Sequence, residues 1–122
     1  MTIQKCIERF ETVNGHQYPQ EMLIEWLNDL DRQIYRDYIC WHEVTGIEEP
    51  EPYSEEALQT TLLVPEPYTD IYIKYLCMQV NFYNNEIGRY NNSVLAFTKA
   101  LDNYSAFLNR KYLPRQDVYV RI

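Results

Sequence analysis

Apolar side chains recur along most of this chain at intervals of three and four residues, which is the spacing of one face of an α-helix. In the first segment they are Ile3, Cys6, Ile7, Phe10 and Val13. Gly15 follows Asn14 and predicts the end of this helix, because glycine adopts the left-handed C-terminal conformation without a Cβ penalty. The first helix is therefore expected near residues 2–13.

A second helix is expected near residues 19–41, because Pro19 suits a first helical turn and no proline or glycine follows within it. Its apolar stripe is Leu23, Trp26, Leu27, Leu30, Ile34, Tyr38 and Trp41.

The helical spacing resumes near residue 69 and predicts two further helices, near 69–87 and 92–112. Ile73 and Cys77 lie on a different side of the third helix from its main stripe, so this helix is expected to be enclosed from more than one direction. A turn is predicted within 84–93, with Asn91, Asn92 or Ser93 as the next N-cap. The stripes are Tyr72, Leu76, Val80, Tyr83 and Ile87, then Val94, Phe97, Leu101, Tyr104 and Leu108.

These patterns predict an all-α single domain over residues 1–122, an antiparallel helical bundle of about four helices. A long loop at 42–67 separates helices 2 and 3, and an extended tail at 114–122 follows Pro114. Val118, Val120 and Ile122 alternate with polar residues in this tail, which is strand spacing. Fraying and strand addition to another surface are both open for it.

Composition changes the picture mainly through charge: 18 Asp and Glu stand against 11 Lys and Arg, a formal net charge of −7. This argues against a protein that wraps nucleic acid through a basic surface. No run of about 18 apolar residues predicts a membrane span, and the N-terminus lacks a signal-peptide core. Three separated cysteines are expected to be free thiols packed in a core, in a reducing compartment. Together these features predict a soluble, intracellular protein.

The whole charge imbalance belongs to the loop, because the rest of the chain has 11 acidic and 11 basic residues. The loop has no Lys or Arg and four of the six prolines, and its length indicates either a functional or a disordered segment. Its end, 60–64, is expected to pack as an extended segment. We predict that it is an acidic docking or channel loop formed by Glu43, Glu48, Glu49, Glu51, Glu55, Glu56 and Glu66.

The sequence indicates no enzyme. His16 and His42 lack metal-ligand spacing, no Cys-x-x-Cys occurs, and three isolated glycines cannot form a phosphate loop. No catalytic residue, metal or cofactor is therefore expected. Twelve tyrosines exceed the needs of a small core and suit a protein with much contact surface. Candidate interface residues are Tyr53, Leu62, Leu63, Val64, Tyr68, Val118, Tyr119 and Val120.

Three stretches resemble head–tail connector (head completion adaptor) proteins of long-tailed bacteriophages and prophages. They are residues 1–35, with Met1-Thr2-Ile3-Gln4 and Trp26-Leu27-Asn28-Asp29-Leu30; the run Leu62-Leu63-Val64-Pro65-Glu66-Pro67-Tyr68; and Ile71-Tyr72 with Asn84-Asn85-Glu86-Ile87-Gly88-Arg89-Tyr90-Asn91-Asn92-Ser93. The resemblance covers the chain up to Tyr112.

The resemblance implies a virion neck protein, present in the host bacterial cytoplasm during assembly. It implies a ring of twelve copies below the portal, which extends the DNA channel, passes DNA without specific binding and docks the next neck or tail protein. The free chain can be monomeric before the portal templates the ring. An alternative hypothesis is a small acidic helical regulatory or inhibitor module that mimics DNA and acts by protein–protein binding. A cryptic enzyme is a third.

Overall fold

The structure, a computed structural model, describes residues 1–113. Its helices are α1 (Ile3–Asn14), α2 (Gln20–Asp37), α3 (Asp70–Tyr83) and α4 (Ile87–Lys111), with a 3₁₀ turn at Ile39–Trp41 between α2 and α3. Within the described range there is no strand, and an isolated antiparallel bridge joins Thr2 to Thr61. The all-α prediction is therefore confirmed, while the predicted tail at 114–122 lies outside the described residues.

Helix α3 is the centre of the fold, because it contacts each of the other three α-helices. Its residues Ile71, Tyr72 and Leu76 are fully buried, and Ile73 and Cys77 pack against the core from another side. The prediction that this helix is enclosed from more than one direction is confirmed. The stripes of α1 and α2 complete the same core with Phe10, Leu27 and other buried side chains.

Helix α2 ends at Asp37, four residues before the predicted end at 41. Tyr38 leaves helical geometry with φ −126°, and the 3₁₀ turn directs Ile39 into the core. The carbonyl of Arg36 then accepts hydrogen bonds from the Cys40 thiol (2.9 Å) and the Trp41 indole N–H (3.0 Å). The apolar stripe predicted that the helix continues to Trp41. It ends earlier because Ile39 is buried in the core and because side-chain donors satisfy the Arg36 carbonyl in place of a helical N–H.

The turn between α3 and α4 occupies only 84–86, so α3 ends earlier and α4 begins earlier than predicted. Asn85 adopts a left-handed conformation with φ 57°, which asparagine tolerates better than most residues. The Glu86 N–H donates to the carbonyl of Asn81 at 3.0 Å and closes the turn. The prediction of an N-cap at 91–93 is wrong, and Gly88 is accommodated in the first turn of α4.

Several positions assigned to helix stripes are exposed. Val13 is 82 % exposed at the end of α1, and Trp41 is exposed beyond the end of α2. Tyr83 and Ile87 are also exposed, because the short turn ends α3 before its predicted stripe is complete. These four assignments to the core are wrong, and the last two place apolar surface at one end of the molecule.

The N-terminal residues pair with the extended end of the loop. The Ile3 and Gln4 N–H groups donate to the carbonyls of Thr60 and Leu58, both at 3.0 Å, and Leu62 N–H donates to Met1 C=O at 2.9 Å. The first N–H groups of a helix have no partner within the helix. The loop therefore supplies acceptors for the start of α1, and its expected extended packing is confirmed.

Cys6 is expected to react with thiol reagents only when the chain unfolds. Its side chain is fully buried, and burial raises the pKa of the thiol to about 12, so almost no thiolate forms near neutral pH. Cys40 and Cys77 are only partly buried. Iodoacetamide labelling followed by peptide mass mapping should show Cys6 modified last, at a rate that rises with added denaturant. Equal labelling rates for Cys6 and Cys77 in native buffer would contradict the buried placement.

Candidate protein-contact surface

A buried carboxylate fixes the loop to the helices. Asp31 lies on α2 and is fully buried. Its Oδ2 accepts hydrogen bonds from the Tyr53 hydroxyl at 2.5 Å and from the Leu63 N–H at 3.0 Å. Its Oδ1 accepts from the Tyr72 hydroxyl at 2.6 Å, and the Tyr72 oxygen in turn accepts from the Val64 N–H at 2.6 Å. One side chain thus binds α2, α3 and two separate parts of the loop together.

The charge state of this cluster follows from its burial. Desolvation raises the pKa of the Asp31 carboxyl, and the hydrogen bonds from Tyr53, Tyr72 and the Leu63 N–H oppose that rise. Burial, together with the charge of Asp31, raises the pKa of the Tyr53 and Tyr72 hydroxyls. Both tyrosines therefore remain neutral hydrogen-bond donors at neutral pH, as the geometry requires.

Two of the predicted interface residues belong to the core of the chain itself. Leu62 and Val64 are buried in the same cluster as the helix stripes. Their assignment as contact residues is corrected, because a fully buried side chain offers no surface to a partner. Leu63 is partly buried and packs against this cluster, and its N–H donates to Asp31.

The other candidates have mixed positions. Tyr53 is partly buried and its hydroxyl is engaged by Asp31. Tyr68 is partly buried between the rings of Tyr104 and Phe107, with centroid distances of 5.6 and 5.0 Å. Both tyrosines keep an exposed portion that a partner could contact. Val118, Tyr119 and Val120 lie outside the described residues.

The acidic side chains of the loop are mainly solvent-facing. Glu49 is the exception: its Oε1 lies 2.6 Å from Nε of Arg36 and 3.9 Å from Nε of Arg32, both on α2. This carboxylate therefore anchors the loop to α2 rather than serving a partner. The exposed glutamates are Glu43, Glu48, Glu51, Glu55, Glu56 and Glu66.

Replacing Glu49 by glutamine is expected to lower the free energy of unfolding by no more than about 1 kcal/mol, because the side chain of the closer arginine, Arg36, is 63 % exposed and solvent screens the pair. Chemical denaturation of the Glu49→Gln chain measures this, with Glu55→Gln as the matched control from the same loop. A loss above about 2 kcal/mol for Glu49→Gln alone would show a far stronger anchor than a surface ion pair provides.

An exposed apolar surface lies at the α3–α4 turn, and we call it the hairpin surface. Phe82, Tyr83 and Ile87 are 57 %, 58 % and 69 % exposed. The Phe82 ring contacts Tyr83 edge-on at 5.2 Å and Tyr90 at 5.6 Å between centroids. A concavity of about 250 Å³ opens among Asn81, Phe82, Asn85, Glu86, Ile87 and Tyr90. Apolar side chains gathered around a shallow concavity are typical of protein contact sites.

The hairpin surface is held rigidly. The Tyr83 ring stacks on Trp26 of α2 with centroids 5.5 Å apart, and Trp26 also contacts Tyr18. The Tyr18 hydroxyl donates to the side chain of Asn84 at 2.7 Å. The Tyr83 ring is therefore held in place before any partner arrives, which lowers the entropic cost of binding at this residue.

Among residues 1–113, no group of three or more His, Cys, Asp or Glu side chains is placed to hold a metal ion. No helix in that part of the chain is long and apolar enough to cross a membrane.

Comparisons with protein-family models, with curated proteins and with solved structures find no match to this chain. The resemblance to phage connectors therefore stays a prediction from sequence.

The sequence patterns missed two features of these surfaces. Asp31 lies four residues after Leu27 and three before Ile34, so it occupies an apolar stripe position. A carboxylate at such a position signals a buried polar cluster, and this signal was available. No sequence signal indicated the hairpin surface. Tyr83 and Ile87 continue the apolar stripe of α3, and their exposure follows from the turn that ends the helix early.

Proposed function

We propose that this chain is a structural adaptor, a head–tail connector subunit of a long-tailed bacteriophage or prophage. Copies assemble as a ring of twelve below the portal in the virion neck, extend the DNA channel and dock the next neck or tail protein. The observation that supports this best is the rigid, exposed hairpin surface, because apolar surface of this kind is retained where another protein covers it.

The helix arrangement also supports the proposal. Contacts of Phe82 with Tyr90 and of Tyr75 with Phe97 follow an antiparallel register and support a pairing of α3 and α4 as antiparallel neighbours. We extend this to an antiparallel bundle of all four helices, with the hairpin projecting at one end. A projecting end and an opposite face give a subunit two different surfaces, which a heterologous ring contact requires.

The exposed glutamates suit a position beside passing DNA. Carboxylates repeated around a ring repel phosphates and discourage DNA adhesion. They could equally face a basic patch on the portal. Because Glu49 is engaged by Arg36, the test variant combines Glu48→Gln with Glu51→Gln. Weaker, less salt-dependent binding to purified portal particles supports portal docking, whereas unchanged binding at every salt concentration removes the portal-docking version.

Incorporation into particles tests the adaptor proposal directly. The chain should be detected in the neck of particles purified from the host by cryo-electron microscopy, and its gene should lie beside portal and capsid genes. Ile87→Glu should abolish incorporation while leaving helical content and thermal stability unchanged, because Ile87 is exposed in the single chain.

Val13→Glu is the matched control, since Val13 is an exposed aliphatic residue outside the hairpin surface. Normal incorporation of the Ile87→Glu chain would remove the hairpin surface from the assembly. Absence of the wild-type chain from particles, with binding to a basic cellular protein instead, would favour the acidic inhibitor hypothesis.

A further inference from the structure

A second apolar groove lies where the described chain ends, and we call it the terminal groove. It runs between the 3₁₀ turn, the start of the loop and the last turns of α4, with a volume of about 240 Å³. Much of its lining is aliphatic or aromatic and comes from Ile39, Val44, Ile47, Phe107, Lys111 and Tyr112. It is separate from the hairpin surface, which lies at the other end of α4.

Leu113, the last described residue, lies at the edge of this groove. The Glu43 N–H donates to the carbonyl of Leu113 at 2.7 Å, beside Val44 in the groove wall. Nine residues span at most about 30 Å when extended, which is enough to reach an adjacent subunit.

The chemistry of this segment matches the groove. Val118, Val120 and Ile122 alternate with polar residues, so in an extended conformation they share one face over about 13 Å. Asp117 precedes that face. The ammonium of Lys111 lies 5.4 Å from the Phe107 ring centroid, at the groove wall. Arg115 and Arg121 stand on either side of Asp117 in this segment, so the match rests on the apolar strip and the apolar groove.

We propose that the terminal groove binds residues 114–122 of a second copy of this chain. The proposal rests on the proposed function, because each subunit then donates one segment and receives another, which is the heterologous contact that closes a ring. A second copy is favoured over the same chain for a geometric reason. Tyr112 is itself part of the groove wall, and Leu113 is tied to Glu43 and restricted to extended backbone before Pro114, so return into the same groove needs an abrupt reversal.

Fluorescence anisotropy with a labelled peptide of residues 114–122 tests the proposal on the full chain. The peptide should bind saturably, with a Kd on the order of 10–100 µM. Ile47→Glu should weaken binding at least roughly tenfold, because it places a carboxylate in the apolar groove. Ile47 is 37 % exposed, so this variant should fold. Ile87→Glu is the matched control and should bind as wild type does.

A third chain, Val120→Glu, separates the two possible sources of the segment. It should bind the peptide as tightly as wild type, because the chain's own segment does not occupy its groove. Binding to Val120→Glu with none to wild type, while analytical ultracentrifugation shows wild type to be monomeric, would mean that each chain fills its own groove, and it would overturn the proposal. Lack of peptide binding to any chain, or full binding to Ile47→Glu, would also overturn it. These binding measurements use neither portal nor particles. The connector proposal is tested separately, by incorporation of the chain into particles.

Discussion

Replacement of Asp31 by alanine is expected to lower the free energy of unfolding by about 3–5 kcal/mol. The substitution removes the acceptor for the Tyr53 hydroxyl, the Tyr72 hydroxyl and the Leu63 N–H, and it leaves these donors without a partner in a buried site. Urea denaturation followed by circular dichroism measures the loss. Asp29→Ala is the matched control, because Asp29 is an exposed aspartate on the same helix, and it should change stability by less than about 0.5 kcal/mol.

The pH dependence provides a second measurement on the same residue. Burial raises the folded-state pKa of Asp31 above its ordinary value of about 3.9, so the folded state favours the protonated carboxyl. Its contribution to stability is therefore fully present below about pH 3.9 and decreases as pH rises through the folded-state pKa. The stability advantage of wild type over Asp31→Asn should narrow from pH 4 to pH 7. An advantage that widens over this range would contradict the raised pKa of Asp31. A loss below about 1 kcal/mol for Asp31→Ala would show that the hydrogen bonds to Asp31 do not fix the loop to the helices.

Replacement of Val64 by aspartate is expected to unfold the chain or to cost more than about 4 kcal/mol. Val64 is fully buried, and the new carboxylate would lose its hydration and lie close to Asp31, to which the Val64 N–H is linked through the Tyr72 hydroxyl. The measurement is the same urea denaturation, with the thermal transition as a second readout.

Thr61→Asp is the matched control for this variant, because Thr61 lies three residues earlier on the same extended segment with its side chain exposed. It should retain stability within about 1 kcal/mol. A Val64→Asp chain that folds like wild type and fails only to assemble would restore Val64 as a contact residue. The pair therefore decides whether this segment is core or interface.

The sequence predicted the helical frame well because burial of one helix face imposes a three-and-four spacing that is visible residue by residue. The stripe positions Phe10, Leu27, Leu76 and Leu108 are all buried as expected. The boundaries were less predictable, since the end of α2 depends on the burial of Ile39 and the start of α4 on the left-handed Asn85. At each of these two helix boundaries several backbone conformations are locally possible, and tertiary contacts determine which one is adopted.

The candidate contact residues were predicted less well. A pattern of apolar residues in an extended segment does not distinguish a side chain that enters its own core from one that meets a partner. Leu62 and Val64 proved to be core, while the exposed Tyr83 and Ile87 had been assigned to a buried stripe. The direction of a side chain depends on neighbours distant in the chain, which the spacing of a single segment does not describe.

By itself, the sequence determined the all-α class, the approximate number of helices and the acidic, proline-rich character of the loop. These features follow from local propensity, periodicity and charge, all of which act over a few residues. Only the tertiary structure decided that Asp31 binds the loop to α2 and α3, that Glu49 is neutralised by Arg36, and that the hairpin surface is exposed. Each of these depends on contacts between residues far apart in the chain, such as Asp31 and Tyr72, whose proximity only the packing of the helices establishes.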